Sequence, residues 1–400
     1  MVPMNILIVN KFLYPNGGSE TYIFKLGEEL VRMGHKVEYF GMEHEGRIVG
    51  NRVNQYTSDM DFHTSALKKV SYPFKIIYST EAYKKLWKVM DNFKPQVVHL
   101  NNFNFQLTPS VIYAVKAWEK KNKTKVKLVY TAHDYQWVCP NHMLKKVTDG
   151  ELCFACENGR FFECTKNKCI HGSTVKSLLG TLEAKFYHLR KTYSLVDLII
   201  SPSAFLGEKL KTYPGIANKI VVMHNFLDTT KTKEEKKDYV LYFGRYSKEK
   251  GVETLLKAAA ALPKVSFVFA GGGPLKEEVS KLANVKDMGF LSGEELIKTI
   301  SAAKFSVFPS EWYENCPFSL MESQVYGTPV IASNLGGAPE LLKDGVTGEL
   351  FTPGDDKELA KRIEALCEDK ERLEKYTSNC AEVHFDNLSE YTEKYLELVK

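Results

Sequence analysis

Residues 308–347 read FPSEWYENCPFSLMESQVYGTPVIASNLGGAPELLKDGVT. Lys304–Pro309 is a strand-length apolar run. From Phe318 the residues have helical character, and Pro317 stands at a first-turn position that needs no donor. The helical segment ends at Gly327, and Pro329-Val-Ile-Ala reads as a short buried strand. Gly336-Gly337 then lets backbone pass close to a neighbour. Such a strand–loop–helix–strand unit is the repeating step of a doubly wound α/β sheet. Glu314 and Glu322 stand eight residues apart, a little over two helical turns, so they read as acids sharing one face. A solvated helix face carries the same spacing, and the acids acquire meaning only from their neighbours.

Those neighbours lie upstream. Tyr239–Phe243 is a strand, and Gly244-Arg245-Tyr-Ser-Lys-Glu-Lys250-Gly251 leads into a helix over Val252–Ala261. Arg245 at the strand end and Lys250 at the helix start converge on one crevice. Two cations and helix N–H groups can neutralise a diphosphate leaving group without a metal. The strand Val265–Ala270 ends in Gly271-Gly272-Gly273-Pro274, which suggests close approach of a ligand. A charged stretch without apolar periodicity, Lys231 to Asp238, reads as an interdomain linker.

The front half has the same rhythm. Asn5–Asn10 is a strand, Gly17-Gly18 follows, and a helix runs from Ser19 to Met33 with Leu26, Leu30 and Val31 on one face. Gly17 and Gly18 precede a helix N-terminus, where free N–H groups can meet a phosphate. Residues 42–94 are expected to be helical, with Phe62, Tyr72, Phe74 and Trp87 as candidates for the core or an acceptor groove. Val97–Leu100 and Lys127–Thr131 are further strands, and His133 and Asp134 follow the second. Strand carboxyl ends face the ligand crevice of an open parallel sheet, so His133 is placed for chemistry. Thr174–Tyr193 reads as a helix, and Phe385–Val399 as a final amphipathic segment.

Residues 135–172 break the pattern, holding five of the eight cysteines: Cys139, Cys153, Cys156, Cys164 and Cys169. In a chain without an export signal, such a cluster favours metal over disulfides. Structural zinc is the preferred reading, against free thiols, an iron–sulfur cluster or disulfides. Four thiolates would leave no open coordination position, so a catalytic zinc is not expected.

Hydrophobic residues make up 44% and charged residues 26% of the 400, which is ordinary for a globular chain of two or three domains. No apolar run has the length of a membrane span, and the N-terminus lacks a signal-peptide pattern, so the expected location is cytoplasmic. Residues 1–200 carry 28 Lys and Arg against 18 Asp and Glu, a balance of +10; residues 201–400 carry 26 against 31, a balance of −5. The basic front half suggests an anionic partner or the inner face of a membrane, although scattered solvating lysines give the same sum.

Glu314 and Glu322 together with GTPVIAS (327–333) and GGAPELL (336–342) resemble the donor-sugar signature of retaining glycosyltransferases of family 4. The resemblance spans nearly the whole chain and is most specific at Arg245–Lys250 and Glu314–Glu340. It implies the GT-B fold, two doubly wound parallel-sheet (Rossmann-like) domains facing a central cleft. The acceptor-side domain is then 1–230, with the cysteine-rich insert 135–172 and the C-terminal helix 385–400 crossing back to it. The nucleotide-sugar domain is 238–384. By the same resemblance GGSETY (17–22) lies beside the donor diphosphate and the acceptor, and His133 lies near the transferred sugar. Arg245 and Lys250 match the diphosphate clamp. Gly244, Gly272 and Gly273 border the donor, and the strand edge ending at Phe290 holds the nucleobase. Asn315, Cys316, Pro317, Phe318 and Ser319 offer backbone groups to sugar or phosphate, and Glu322 suits the ribose diol, since a carboxylate accepts two hydrogen bonds. Many relatives have a glycine-rich turn where this chain has Asn315-Cys316-Pro317, so one donor contact is expected to differ.

A subset of the family carries Cys-Pro-Asn after the His-Asp strand, a C-x-x-C and a cysteine two residues before Gly-Ser. That match picks Cys139, Cys153, Cys156 and Cys169 as zinc ligands and leaves Cys164 spare. The implied activity is transfer of a sugar, with retention, from a nucleoside-diphosphate donor to a glycan or lipid-linked acceptor in surface polysaccharide synthesis. A catalytic metal is not expected, because no D-x-D-type pair stands at a strand end, and neither is a nucleic-acid partner. A nucleotide-sugar epimerase or hydrolase of the same fold is the first alternative, and an inactive binding or assembly module the second.

Overall fold

The computed structural model of the chain describes residues 2–58, 76–229, 232 and 234–400. It contains two compact units, Met1–Met223 with Leu388–Lys400, and His224–Asn387.

In chain order the first unit holds β1 (Asn5–Val9), α1 (Gly18–Arg32), β2 (Lys36–Phe40), α2 (Thr80–Phe93), β3 (Val97–Leu100), α3 (Ser110–Asn122) and β4 (Lys127–Thr131). After the cysteine-rich insert come α4 (Phe162–Lys166), α5 (Thr174–Leu189), β5 (Leu198–Ser201), α6 (Ala204–Leu210) and β6 (Ile220–Val222). All six strands are parallel, in the order β2-β1-β3-β4-β5-β6. Parallel strands are covered on both faces, so they read as unbroken apolar runs; Ile6 to Val9 and Val97 to Leu100 are all buried.

Three local expectations need correction. On α1 the core-facing residues are Tyr22, Ile23, Leu26 and Leu30, whereas Val31 is 55% exposed. At about 100° per residue these four fall within an arc of about 100°, and Val31 lies about 80° beyond its edge. In 42–94 only residues 76–77 and α2 are helical among the described residues; 41–58 is a loop with one bridge, Met42 to Thr57. Asn51 organises this loop: its side-chain amide donates to the Tyr39 and Gln55 carbonyls (both 3.0 Å), and its Oδ1 accepts from Gln55 N (3.1 Å). Such side-chain turns compete with helix. Phe62, Tyr72 and Phe74 lie outside the described residues. Trp87 packs on the outer side of α2 against Tyr83, with Lys121 over its ring.

The second unit holds β7 (Val240–Arg245), α7 (Val252–Ala261), β8 (Phe267–Gly272), α8 (Lys276–Val279), β9 (Val285–Asp287), α9 (Gly293–Ala302) and β10 (Phe305–Phe308). It continues with α10 (Phe318–Val325), β11 (Val330–Ser333), α11 (Ala338–Leu341), β12 (Gly348–Phe351), α12 (Asp356–Glu368) and α13 (Lys370–Cys380). Its sheet is again all parallel, in the order β12-β11-β10-β7-β8-β9. The strand order reverses between β7 and β10, which makes their carboxyl ends the topological switch point. Phe267, Phe269 and Val307 from the sheet meet Leu255 of α7 and Leu359, Ile363 and Leu366 of α12 in one core. The charged stretch that reads as a linker belongs to this unit: Glu234 N donates to Ser301 Oγ (3.1 Å) and Lys237 N to the Ala302 carbonyl (2.7 Å).

The last helix, α14 (Leu388–Val399), returns to the first unit. Tyr391 hydrogen-bonds the Tyr22 hydroxyl (2.9 Å), and Tyr395 stacks on the His99 ring at 5.1 Å.

Candidate functional site

The switch point of the second unit gathers the residues that the sequence singles out. Arg245 is the last residue of β7 and its side chain is exposed. Lys250 sits one turn before α7 and forms an ion pair with Glu314 from the loop after β10. Two loops are joined here. Glu311 N donates to the Glu249 carbonyl (3.0 Å), and Thr254 Oγ1 donates to Glu311 Oε1 (2.5 Å). Gly251, at φ 70°, allows α7 to start directly against the Pro309 carbonyl, where a Cβ would collide. Burial pushes Glu249 up, but the Ser247 hydroxyl, its own N–H and the charges of Arg245 and Lys250 outweigh it and hold the carboxyl below its usual range.

Glu314 is fixed from behind. Its carbonyl accepts from Gly337 N (2.7 Å), and a Cβ on Gly336 would stand 2.7 Å from that same oxygen. The backbone that the double glycine was expected to let pass is therefore that of Glu314 itself. Ser310 Oγ donates to Glu314 Oε1 at 3.4 Å, a residue for which the sequence carries no signal.

The periodic relation between the two acids does not hold as expected. As expected, α10 begins at Phe318, with Glu314 in the loop before it and Glu322 within it, and for that reason helical spacing says nothing of the direction of Glu314. Pro317 is the cap residue before α10, with extended backbone at ψ 118°, one step earlier than the first-turn position expected for it. The first-turn amides of Phe318 and Ser319 have no acceptor within the helix, as at any helix start. Glu322 is half-buried on α10. The Cys316 side chain turns inward against Met321 and accepts from Asn225 N (3.3 Å), leaving only its backbone for a ligand.

On the other side of β7, Gly271 N donates to the Gly289 carbonyl (2.7 Å). Asp287 accepts from Gly289 N (2.9 Å) and from the Tyr246 hydroxyl (2.8 Å), which sets the turn that presents Phe290 at 82% exposure. Gly244 is exposed and Gly272 half-buried beside this turn; a Cβ on Gly273 would meet the Tyr246 backbone.

In the first unit the carboxyl ends of β1 and β3 close on themselves. Asn10 donates to Glu20 Oε1 (3.0 Å), and its Oδ1 accepts from Asn102 N (2.9 Å). Asn102 Nδ2 donates to Ser19 Oγ (2.8 Å), which in turn donates to Glu20 Oε2 (3.0 Å). Glu20, only 2% exposed in the first turn of α1, places a carboxylate among the helix-start amides beside Gly17 and Gly18. Ser19 and Glu20 fall inside the GGSETY stretch, but nothing in the sequence singles out Asn10 or Asn102.

His133 follows β4 and packs edge-on against Tyr22. Its Nε2 lies 2.9 Å from Asn101 Oδ1, while Asn101 Nδ2 donates to the His99 carbonyl (3.3 Å). The amide orientation is thus set, and a carbonyl oxygen only accepts, so Nε2 carries the His133 proton. Burial lowers His133 to about 4, and Asp134 only partly offsets this, so the ring is neutral at pH 7. Asp134 pairs instead with His142 Nδ1 (3.2 Å), tying the cysteine-rich insert to the end of β4.

The insert brings its cysteines together: Cys156, Cys164 and Cys169 share one small core with Phe161. Burial raises Cys139 to about 11. Cys139 Sγ contacts Asn141 Oδ1 (2.8 Å), and Cys153 Sγ accepts from Ala155 N (3.4 Å). Cys164, set aside as a spare, is 1% exposed and hydrogen-bonds Cys169 directly, holding the latter below its usual range. Among the described residues no three cysteine sulfurs lie within 4.8 Å of one another.

Comparison with known proteins decides the family. The glycosyltransferase family 4 model matches residues 16–231, and the model for glycosyl transferases group 1 matches residues 225–383. The chain belongs to glycosyltransferase family 4. Within the wider set of relatives it is 24% identical over 358 residues to an uncharacterised 42.6 kDa protein of the cps region of Klebsiella pneumoniae, covering 85% of this chain and 88% of that one. It is 30% identical over 208 residues to sulfoquinovosyl transferase SQD2 of Arabidopsis thaliana, covering 46% of this chain but only 41% of the relative. Among solved structures, HepE of Anabaena in complex with UDP superposes with a TM-score of 0.64 at 19% identity, over 98% of this chain and 99% of that one. Sucrose-phosphate synthase of Thermosynechococcus elongatus superposes with 0.68 at 17%, over 99% and 98%. These likenesses establish the GT-B fold for this family member.

Proposed function

We propose that this glycosyltransferase moves a sugar, with retention of configuration, from a nucleoside-diphosphate donor to a surface-glycan or lipid-linked acceptor. The observation that carries the reading is the cation pair at the β7–β10 switch point: Arg245 exposed at the strand end and Lys250 held by Glu314. As the diphosphate departs, negative charge grows on it, and fixed cations stabilise that charge more in the transition state than in the ground state. Arg245 and Lys250 take this role, and the α10 first-turn amides add to it. Glu314 orients Lys250 and stands toward the sugar; Glu322 accepts from the ribose. His133, neutral and with its Nε2 proton engaged by Asn101, is not a strong base. The departing phosphate oxygen is then free to take the acceptor proton on the same face of the sugar. UDP and UDP-glucose complexes of HepE, and the cps-region relatives, support a nucleotide-sugar donor and a polysaccharide pathway.

The reading includes one structural zinc held by Cys139, Cys153, Cys156 and Cys169. Backbone amides already point at Cys139, Cys153 and Cys156, and such donors favour the thiolate that a metal requires. The donor set fits; the sulfurs have to close in on the ion, and Cys164 competes with Cys169 for a place. Zinc bound by thiolates would stiffen the insert and supply no bond chemistry.

The test combines purified protein with a panel of nucleoside-diphosphate sugars. Ligand binding raises the melting temperature, and the donors that do so are then followed by NMR for the anomeric configuration of the product. A retained anomer and persistence of transfer in EDTA support the reading. Inversion, or epimerised donor without transfer, overturns it. Elemental analysis decides the zinc.

A further inference from the structure

The outer face of α5 is apolar. Val175, Leu178, Leu182, Phe186 and Leu189 are 78%, 41%, 47%, 39% and 81% exposed. Of the fifteen large apolar side chains exposed among the described residues, these five lie on one helix, so the exposure is concentrated rather than scattered. Their spacings of three and four residues confine them to a stripe of about 80° along a helix about 24 Å long. The opposite face, with Ser177, Gly180, Thr181, Glu183 and Tyr187, is buried in the first unit. Phe162 of α4, 49% exposed, extends the stripe sideways.

Charge on this face has one sign. Lys185 borders the stripe on one flank, its ammonium 3.7 Å from the Phe162 ring centroid, and Arg190 borders the other, against Phe186. Lys176 and Lys191 are exposed near the two ends. The one acid of α5, Glu183, is buried on the far side, and burial raises its carboxyl to about 8, so it adds no negative field. On α4, Glu163 is neutralised by Lys166 at 2.7 Å.

An apolar stripe edged by cations suits neither open water nor an ordinary protein surface. It matches a helix lying in the plane of an anionic lipid leaflet, with its side chains among the acyl chains and its lysines at the headgroup phosphates. Tyr56 and Trp87 are less suited: Tyr56 is 5% exposed beneath Arg47, and Trp87 is taken up by Tyr83 and Lys121. We propose that α5 is the surface by which this enzyme docks on anionic membrane. The inference deepens the lipid-linked reading of the acceptor and rests on it for its purpose, though not for its geometry.

The experiment is co-sedimentation of the full chain with phosphatidylcholine vesicles, alone or with about a third phosphatidylglycerol, at low and high salt. Wild type is expected to bind the anionic vesicles and to release in salt. The double variant Leu182→Glu/Leu189→Glu is expected to lose about tenfold or more in partitioning. Lys176→Gln and Lys185→Gln are each expected to lose about fivefold on anionic vesicles only. All substituted positions are at the surface, and an unchanged melting temperature checks the fold. Equal binding to both vesicle types, or partitioning indifferent to the leucine variant, overturns the proposal. So does a wild-type dimer in light scattering that the leucine variant abolishes, since the face would then be a contact between copies. Donor hydrolysis in vesicle-free solution reports on the transfer site separately. If no donor turns over while vesicle binding persists, the functional reading fails and the docking surface stands.

Discussion

The strand order of the two sheets reverses in the same way, yet their switch points are used in opposite ways. At β7 and β10 the polar groups face outward: Arg245 is exposed, and Lys250 is held ready by Glu314. At β1 and β3 they face one another: Asn10, Ser19, Glu20 and Asn102 satisfy each other in a closed ring. One sheet end keeps charge available for an anion, and the other spends the equivalent groups on making a rigid wall. Topology therefore locates a place for a site, while the state of the side chains there decides whether it acts on charge or gives shape.

The largest effect is expected where charge is available. Arg245→Ala and Lys250→Ala should each slow transfer by about two to three orders of magnitude, about 3–4 kcal/mol of transition-state stabilisation. Steady-state kcat/KM with a responsive donor measures it, and near-normal rates in both variants would erase the contrast between the two sheet ends.

At the closed end the effect should fall on stability instead. Glu20→Ala leaves the buried Asn10 amide and the half-buried Ser19 hydroxyl without their acceptor, at a cost of about 1–3 kcal/mol. Urea unfolding followed by circular dichroism should show this, with donor affinity unchanged. A loss of donor affinity without loss of stability would place Glu20 in the donor site.

A third test separates the two acids by kinetics. Glu314→Gln releases Lys250 and should mainly lower kcat, whereas Glu322→Gln should mainly raise KM, each by about tenfold or more. The reverse pattern would exchange their roles.

A last effect is a pH slope in the first unit. Burial holds His133 at about 4 and His99 at about 3, both below the ordinary 6.5. The unfolded chain takes up these protons first, so stability is full above about pH 6.5 and declines as pH falls towards the folded values. His133→Asn should flatten the part of this decline that ends near pH 4, measured by urea unfolding between pH 7 and 4. An unchanged slope would mean that His133 is protonated in the folded protein.

Much of this architecture is legible in the sequence because parallel strands must be apolar on both sides. Runs such as Asn5–Val9 and Val330–Ser333 announce themselves, and glycine or proline marks their ends. Arg245 and Lys250 are legible for the same reason, since strand end and helix start fix their surroundings. The ring of Asn10, Glu20 and Asn102 is not, because its members come from segments up to 92 residues apart and only register brings them together. The separation of Leu30 from Val31 and the loop of Asn51 show two other limits: a helical face needs its angle counted, and a single side-chain turn can outweigh helical composition. The stripe on α5 shows a third. Periodicity reveals that a helix has an apolar side but not that the side is left uncovered.

The second unit enters the chain at His224 and leaves it at Asn387, and near these ends the Leu227 amide donates to the Asp386 carbonyl at 2.9 Å. Its entry and exit segments are thus clasped by one backbone bond that does not depend on side chains. A segment whose two ends meet in this way is a cassette. It can be exchanged as a whole for the equivalent segment of a relative, with two splice points and no change in loop length. The functions carried by this unit could then be replaced by recombination while the chain on either side stays as it is.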